Sequence, residues 1–467
     1  MNVLFVHGYS ERSLGAYFDF PARLQAAFPD VTDIVLAAFD SLDDTVTIDD
    51  LADAMEVRVT ALGAAWTQGP WAVVCHSTGA LIARRWLLNR LGNGPIPTHL
   101  ITLAGANHGS TLAQMGKSVL GYVEKLLLTH AMSVGANVLT DLDYGSDFLL
   151  TLNADWMARW NDGSLDGLWA FSMGGDFVGN DAALRLFWET HEAGSDNTVR
   201  ISGANLNYTL IEVAHGVSGP AVTPVRPVRP VPHLVLHGYS HFGSASGILG
   251  WNNPAGDAPV LAVAQALGVQ TPAAYGAVLA DWSARTQQWS AQSQSTHVAQ
   301  AGSSSNVNAT AVFTIRDESG RSIEDCVIAV LDQQALAAAD AAAPAADGLV
   351  VTAANNVSDA IMPHSPIQNN VQLGSYSFYF DYNAYLQSSP HAFHIEAALP
   401  TQLVSFIPLT FTQPPALQHA IAPNEFTYIA LTMKRDPSQT YAVYQYGPGL
   451  DLTATWLPFP EPGRISP

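Results

Sequence analysis

Along the first three hundred positions, apolar residues fall in short blocks separated by stretches of helix length. The blocks are Asn2–His7, Asp33–Phe39, Ala72–Cys75, His99–Gly105, Leu168–Met173 and a run beginning at His233. Between them, Tyr17–Phe28, Leu51–Trp66 and Gly79–Leu88 carry apolar residues at helical spacing. Strands alternating with helices predict a parallel, doubly wound sheet with ligands at the carboxyl ends of its strands. From Gln287 to Asn308 the composition turns to Gln, Ser, Ala and Asn, which reads as a linker. Beyond it the period becomes two, in Ala311–Ile315, Cys326–Leu331, Tyr376–Phe380, Phe426–Thr432 and Tyr441–Tyr444. Such runs between Asn/Pro/Gly turns predict a β-sandwich. The expected layout is an α/β domain over residues 1–295, a linker over 296–309 and a β-sandwich-like domain over 310–467. Two helix-like stretches, Val119–Leu128 and Asp147–Leu152, fit either a cap-like helical insert within 111–165 or plain core packing, and an apolar tail runs from Leu450 through Trp456.

Composition narrows the partners. The 467 residues are 48% apolar and 13% charged, with 40 acids against 19 bases and a formal charge of -21. No basic stripe exists to displace counterions, so nucleic acid is excluded as a partner, and docking on an anionic membrane through charge alone is disfavoured. Cys75 and Cys326 fall in different predicted domains, which leaves no disulfide framework. His364, His391, His394 and His419 lack metal-ligand spacing, so no metal or other cofactor is expected. The opening residues carry no basic n-region and no long apolar core, and no run of about 18 apolar residues occurs. The expectation is therefore a protein made in the cytoplasm, without signal peptide or transmembrane helix, touching membranes peripherally.

The candidate chemistry centres on Cys75-His76-Ser77-Thr78-Gly79, where a strand turns into a helix with no room for a relaxed loop. A serine on so sharp a turn is the nucleophile elbow of α/β-hydrolases, usually G-x-S-x-G; here Cys75 takes the first position. The early His7-Gly8-Tyr9-Ser10, after the first strand, is the expected oxyanion loop, with the backbone N–H groups of Tyr9 and Thr78 as donors. This strand normally comes third in the fold, so a reduced sheet is expected. His108, in the loop after the fourth block, is read as a loop or supporting residue.

For the acid, the segment after Leu168–Met173 offers Asp176, Asp181 and Asp196. Asp196 is preferred because its tight turn runs straight into an apolar segment, with Asn197 at a position suited to positive φ; Asp176 is the reserve. For the base, His237 ends a strand and His241 lies beyond it, on a flexible loop expected to open a helix. His241 is preferred because a general base needs reach.

Taken in order, Cys75–Gly79, Ser195-Asp196-Asn197-Thr198-Val199 and Ser240-His241-Phe242-Gly243 resemble the T-H-S-T-G, S-D-G-V-V and S-H-S-G-like segments of the PlaB family of bacterial phospholipases A. The resemblance extends to chain length, motif order and domain layout, and departs at Cys75, Asn197, Thr198 and Phe242. It implies an α/β-hydrolase with a C-terminal β-rich domain and a Ser77, Asp196, His241 triad hydrolysing phospholipids and lysophospholipids. It also implies peripheral membrane contact and a homo-oligomer, either dimer or tetramer. A neutral-lipid lipase or esterase would use the same triad, and a vestigial hydrolase serving as a lipid-binding or assembly protein is the reading from a different class.

Overall fold

The computed structural model describes residues 1–9, 11, 14–114, 134–178, 192–216, 219–299, 307–332, 361, 365–369, 371–382, 385, 391–397, 405–412 and 421–436. Strands β1 (Asn2–Val6), β2 (Asp33–Leu36), β3 (Trp71–His76), β4 (His99–Leu103) and β5 (Trp169–Gly175) are followed by a hairpin, β6 (Tyr208–Gly216) and β7 (Gly219–Val225), and then by β8 (His233–Leu236). Six of them form one parallel sheet in the order β2-β1-β3-β4-β5-β8, as the alternation predicts.

Period two sorts the side chains of each central strand onto two faces. Leu4, Val6, Val73 and Cys75 pack with Leu81 and Trp86 of the helix Gly79–Arg90 and with Leu51 and Met55 of the helix Ile48–Ala61. Val3, Phe5, Ala72, Val74 and Ile101 pack on the other face with Phe20, Leu24, Val263 and Trp282. Each such side chain removed from water contributes about 1.5–3 kcal/mol, so a sheet buried on both faces is a rigid base for a site at its edge.

Two elements differ from the sequence reading, and a third is one that it left open. Phe18 has φ 49°, which splits the predicted helix at Tyr17 into a 3-10 turn, Leu14–Tyr17, and a helix, Phe20–Ala27. The linker composition hides a helix, Pro272–Ala299, because Gln and Ala are good helix formers and Trp282 and Trp289, two turns apart, are buried along it. Within 111–165, the helix Asp147–Asn161 belongs to the core, with Leu149, Leu152, Trp156 and Met157 in the same cluster as Leu81 and Trp86. The Leu-rich stretch expected to form the cap lies outside the described residues, as do Tyr441–Tyr444 and the tail from Leu450.

The β-rich module holds β9 (Asn308–Asp317), β10 (Cys326–Asp332), β11 (Ile367–Gln368), β12 (Ser375–Asp381), β13 (His391–Ala397), β14 (Ser405–Phe406), β15 (Leu409–Thr412) and β16 (Phe426–Met433). A mixed sheet, β11-β12-β9-β16-β6-β7, faces an antiparallel one, β10-β13-β15. Their shared core includes Phe313 and Phe393, with ring centroids 5.6 Å apart. Sequence order and spatial order part here, because β6 and β7 come from before the linker and complete the second sheet, β6 running parallel to β16. Ile211 and Val213 are buried and Glu212 is exposed, the half-buried alternation of such a strand. Pro220 and Pro224 are tolerated in β7 because, among the described residues, it is an edge strand with no further ladder to supply.

Candidate active site

At the carboxyl end of β3 the chain turns into the helix Gly79–Arg90 through Ser77, which has φ 55°. A non-glycine residue in the left-handed region is costly, and here the packing on both sides enforces it. A Cβ on Gly79 would lie 2.4 Å from the carbonyl oxygen of His7, so only glycine lets the helix come this close to β1. A Cβ on Gly8 would lie 2.6 Å from the Ser77 Cβ, which brings the His7–Tyr9 segment against the serine. Thr78 is the first residue past the turn, at the N-cap of the helix. Cys75 faces the core, where burial pushes its thiol far above the ordinary range and leaves it inert.

Ser77 Oγ lies 2.8 Å from His241 Nε2, and His241 Nδ1 lies 2.9 Å from Asp196 Oδ2. A carboxylate only accepts, so Nδ1 carries the proton and Nε2 is left to accept the serine hydroxyl. The three side chains are buried. Asp196 is fixed by its own turn, in which Oδ1 accepts the backbone N–H groups of Thr198 at 3.1 Å and Val199 at 2.8 Å. Asn197 has φ 86°, the positive φ that its place in the turn suggests. The backbone N–H of His241 donates to the carbonyl of Asp196 at 2.8 Å, tying the two residues together a second time.

The loop carrying His241 is compact and opens no helix. Ser240 N donates to the Ser246 carbonyl at 2.8 Å and Ile248 N to the Ser240 carbonyl at 2.9 Å, with Gly247 and Gly250 packed where a Cβ would strike the Gly243 carbonyl. The next helix begins at Ala258.

The alternatives occupy a different place. His237 Nδ1 lies 2.7 Å from Asp176 Oδ2, and Asp176 also accepts the Gly238 N–H at 2.7 Å and the Trp289 indole N–H at 2.6 Å. Both reserve residues therefore pair with each other; Asp181 lies outside the described residues. His108 is buried in the join between the modules, 3.1 Å from the Tyr428 hydroxyl and 2.8 Å from the Asn205 carbonyl, with its ring stacked on Phe426.

Two neighbours take part in ways the sequence reading did not give: His76, named there only as an elbow residue, and Glu11, not named at all. His76 Nε2 donates to the carbonyl of His241 at 3.0 Å, and burial, aided by the neighbouring His241, lowers the pKa of His76 well below the ordinary value. Glu11 sits close enough to His241 to feel its charge, while burial raises its own pKa. The signal for His76 was its place in the elbow, but nothing in the sequence gave its partner.

Fold and site together define an α/β-hydrolase whose elbow serine, histidine and aspartate form one hydrogen-bonded chain, joined to a C-terminal β-rich module. Among solved structures it matches phospholipase PlaB from Legionella pneumophila, at TM-score 0.78 and 24% identity, over 100% of this chain and 99% of that one. It also matches PlaB from the same organism in complex with thio-NAD, at TM-score 0.76 and 24% identity, over 95% and 96% of the two chains. The chain thus has the fold of PlaB from end to end, as the three motifs imply. No protein-family model matches it, and no curated protein matches it in sequence.

Proposed function

We propose that this chain is a serine hydrolase that cleaves the acyl ester bonds of phospholipids and lysophospholipids. The observation that carries the reading is the buried chain from Ser77 Oγ to His241 Nε2 at 2.8 Å and from His241 Nδ1 to Asp196 Oδ2 at 2.9 Å. His241 takes the hydroxyl proton as Ser77 Oγ attacks the acyl carbonyl carbon, and Asp196 stabilises the imidazolium. The backbone N–H groups of Tyr9 and Thr78 receive the oxyanion; removal of one such donor typically costs about 2.7–4 kcal/mol. The intermediate collapses, the C–O bond to the glycerol breaks, and the imidazolium protonates the departing alkoxide. Water, deprotonated by the same histidine, then cleaves the acyl-enzyme.

Support for a lipid substrate comes from the likeness, over the length of the chain, to phospholipase PlaB. It also comes from the His241 loop, which exposes Phe242 (37%) and Trp251 (52%), apolar surface suited to acyl chains. The reading includes peripheral membrane contact and a homo-oligomer, both implied by the resemblance of the three motifs; among the described residues no helix is long and apolar enough to cross a membrane. The test is fatty-acid release from phospholipid, lysophospholipid and triglyceride, with Ser77→Ala as control. Release from the first two alone supports the reading. Preference for triglyceride makes the chain a neutral-lipid lipase, and release unaffected by Ser77→Ala overturns it.

A further inference from the structure

The turn that carries Asp196 does not stand by itself. It holds Gly194 at φ 72°, free for glycine, and Asn197 at φ 86°, a conformation that costs a non-glycine residue and persists where the surroundings fix it. Its ends are clamped by an ion pair: Arg200 Nε and Nη2 donate to Glu192 Oε2 and Oε1, each at 2.8 Å, a two-pronged contact across the nine-residue loop with Asp196 at its middle. Both partners are out of solvent, Arg200 at 1% and Glu192 at 8% side-chain exposure.

The clamp is in turn seated on the β-rich module. The Arg200 guanidinium lies 4.0 Å from the ring centroid of Tyr379, on β12, and 4.9 Å from that of Tyr144. The Tyr379 hydroxyl donates to the carbonyl of Ala193 at 2.5 Å, and the Asn308 amide, at the start of β9, donates to the same carbonyl at 2.9 Å. One carbonyl of this turn thus receives two donors from strands β9 and β12, which begin more than a hundred residues later. From the other side, Ser110 and Thr111 hold the carbonyl of Thr198 at 2.6 and 3.2 Å.

We propose that Arg200 is a positioning residue for Asp196, and that Tyr379 makes the C-terminal sheet a working part of the active site by holding Arg200 and the Ala193 carbonyl. The proposal rests on the triad reading above. Asp196 reaches His241 only if its turn keeps its shape, and a misplacement of about 1 Å in a catalytic group can cost on the order of a hundredfold in rate. The contact needs the planar fork of Arg between two rings and one carboxylate, a set that Lys cannot satisfy.

The test uses the full-length chain and a short soluble p-nitrophenyl ester, measuring kcat, KM and melting temperature for Arg200→Lys and Tyr379→Phe, each also combined with Asp196→Asn. The expected result is a kcat lowered about 30- to 100-fold in Arg200→Lys and about 5- to 10-fold in Tyr379→Phe, with KM within about twofold. In the Asp196→Asn background neither change should lower the residual rate further, because both act through the same carboxylate. If Arg200→Lys does not fold, Tyr379→Phe decides, since it keeps the ring and loses only the hydroxyl. Parental kcat in the folded variants, or the same loss with and without Asp196, overturns the proposal while leaving the hydrolase reading intact. Full activity in Ser77→Ala removes the hydrolase reading itself.

Discussion

His76 Nε2 donates to the carbonyl oxygen of His241 at 3.0 Å, so the residue before the elbow serine holds the main chain of the histidine that faces it. The two rings lie 4.8 Å apart. Burial, with the neighbouring His241, holds the pKa of His76 well below the ordinary value, so His76 stays neutral and the contact persists through neutral pH. His76→Ala should lower kcat on a soluble ester by roughly tenfold and reduce stability by about 0.5–1.5 kcal/mol, the usual worth of one such bond. His76→Gln, whose amide can donate, should recover part of the rate. Steady-state kinetics with denaturant melts check both, and a fully active His76→Ala would show that the base needs no such tether.

Gly8 supplies the next expectation. A methyl group there would meet the Ser77 Cβ at 2.6 Å, a contact with a side chain already fixed on a strained turn. Gly8→Ala should displace Ser77 and lower kcat by about a hundredfold, with the sheet intact by circular dichroism. Retained turnover in Gly8→Ala would mean that the His7–Tyr9 segment yields more easily than its packing indicates.

Two His–Asp pairs stand near the carboxyl ends of β5 and β8, and only one of them reaches a serine. His241→Ala and Asp196→Asn should each lower turnover by roughly three orders of magnitude, with losses that do not add. His237→Ala should leave kcat within about twofold, since its side chain is 82% exposed. Asp176→Asn should act on stability instead, by weakening the contacts to Gly238 and Trp289. The opposite ranking of the two histidines would move the base to His237.

What the sequence made legible follows from what is local. Ser77, the positive φ of Asn197 and the strand-turn-helix at Cys75–Gly79 depend on neighbours along the chain, and all three could be read there. Of the two histidines, the one on the loop, His241, lies beside Ser77 Oγ, while His237, directly after β8, pairs with Asp176. The clamp of Glu192, Arg200 and Tyr379 was not legible, since Tyr379 reaches the loop from β12, far along the chain, and nothing local marks Arg200 as buried. For the same reason β6 was missed. Its pairing with β16 joins residues more than two hundred apart, and the prolines of β7 masked the hairpin. The helix through the linker was hidden by composition, because polar helix formers around two tryptophans read as a spacer.

A pH dependence of stability is expected from Asp141, away from the triad. Burial, the largest cause, raises its pKa from 3.8 to about 6; the Ile48 N–H at 3.0 Å opposes this, and Asp49 and Asp50 add to it. The folded chain thus holds this proton more tightly than the unfolded one. The contribution to stability is full below about pH 4 and is lost as pH rises through about 6. Asp141→Asn keeps an acceptor for Ile48 and removes the charge. It should stabilise the protein at pH 8 by about 1–3 kcal/mol and change little at pH 4. Equal effects at both pH values would place the raised pKa elsewhere.

The central claim is that Ser77 is an activated nucleophile, and covalent labelling with a fluorophosphonate tests it most directly, since ordinary serines do not react. Mass spectrometry of the full-length chain should find one adduct, on the peptide containing Ser77. Labelling should vanish in Ser77→Ala and slow by about a thousandfold in His241→Ala. An adduct on another serine, or labelling that survives Ser77→Ala, would contradict the account.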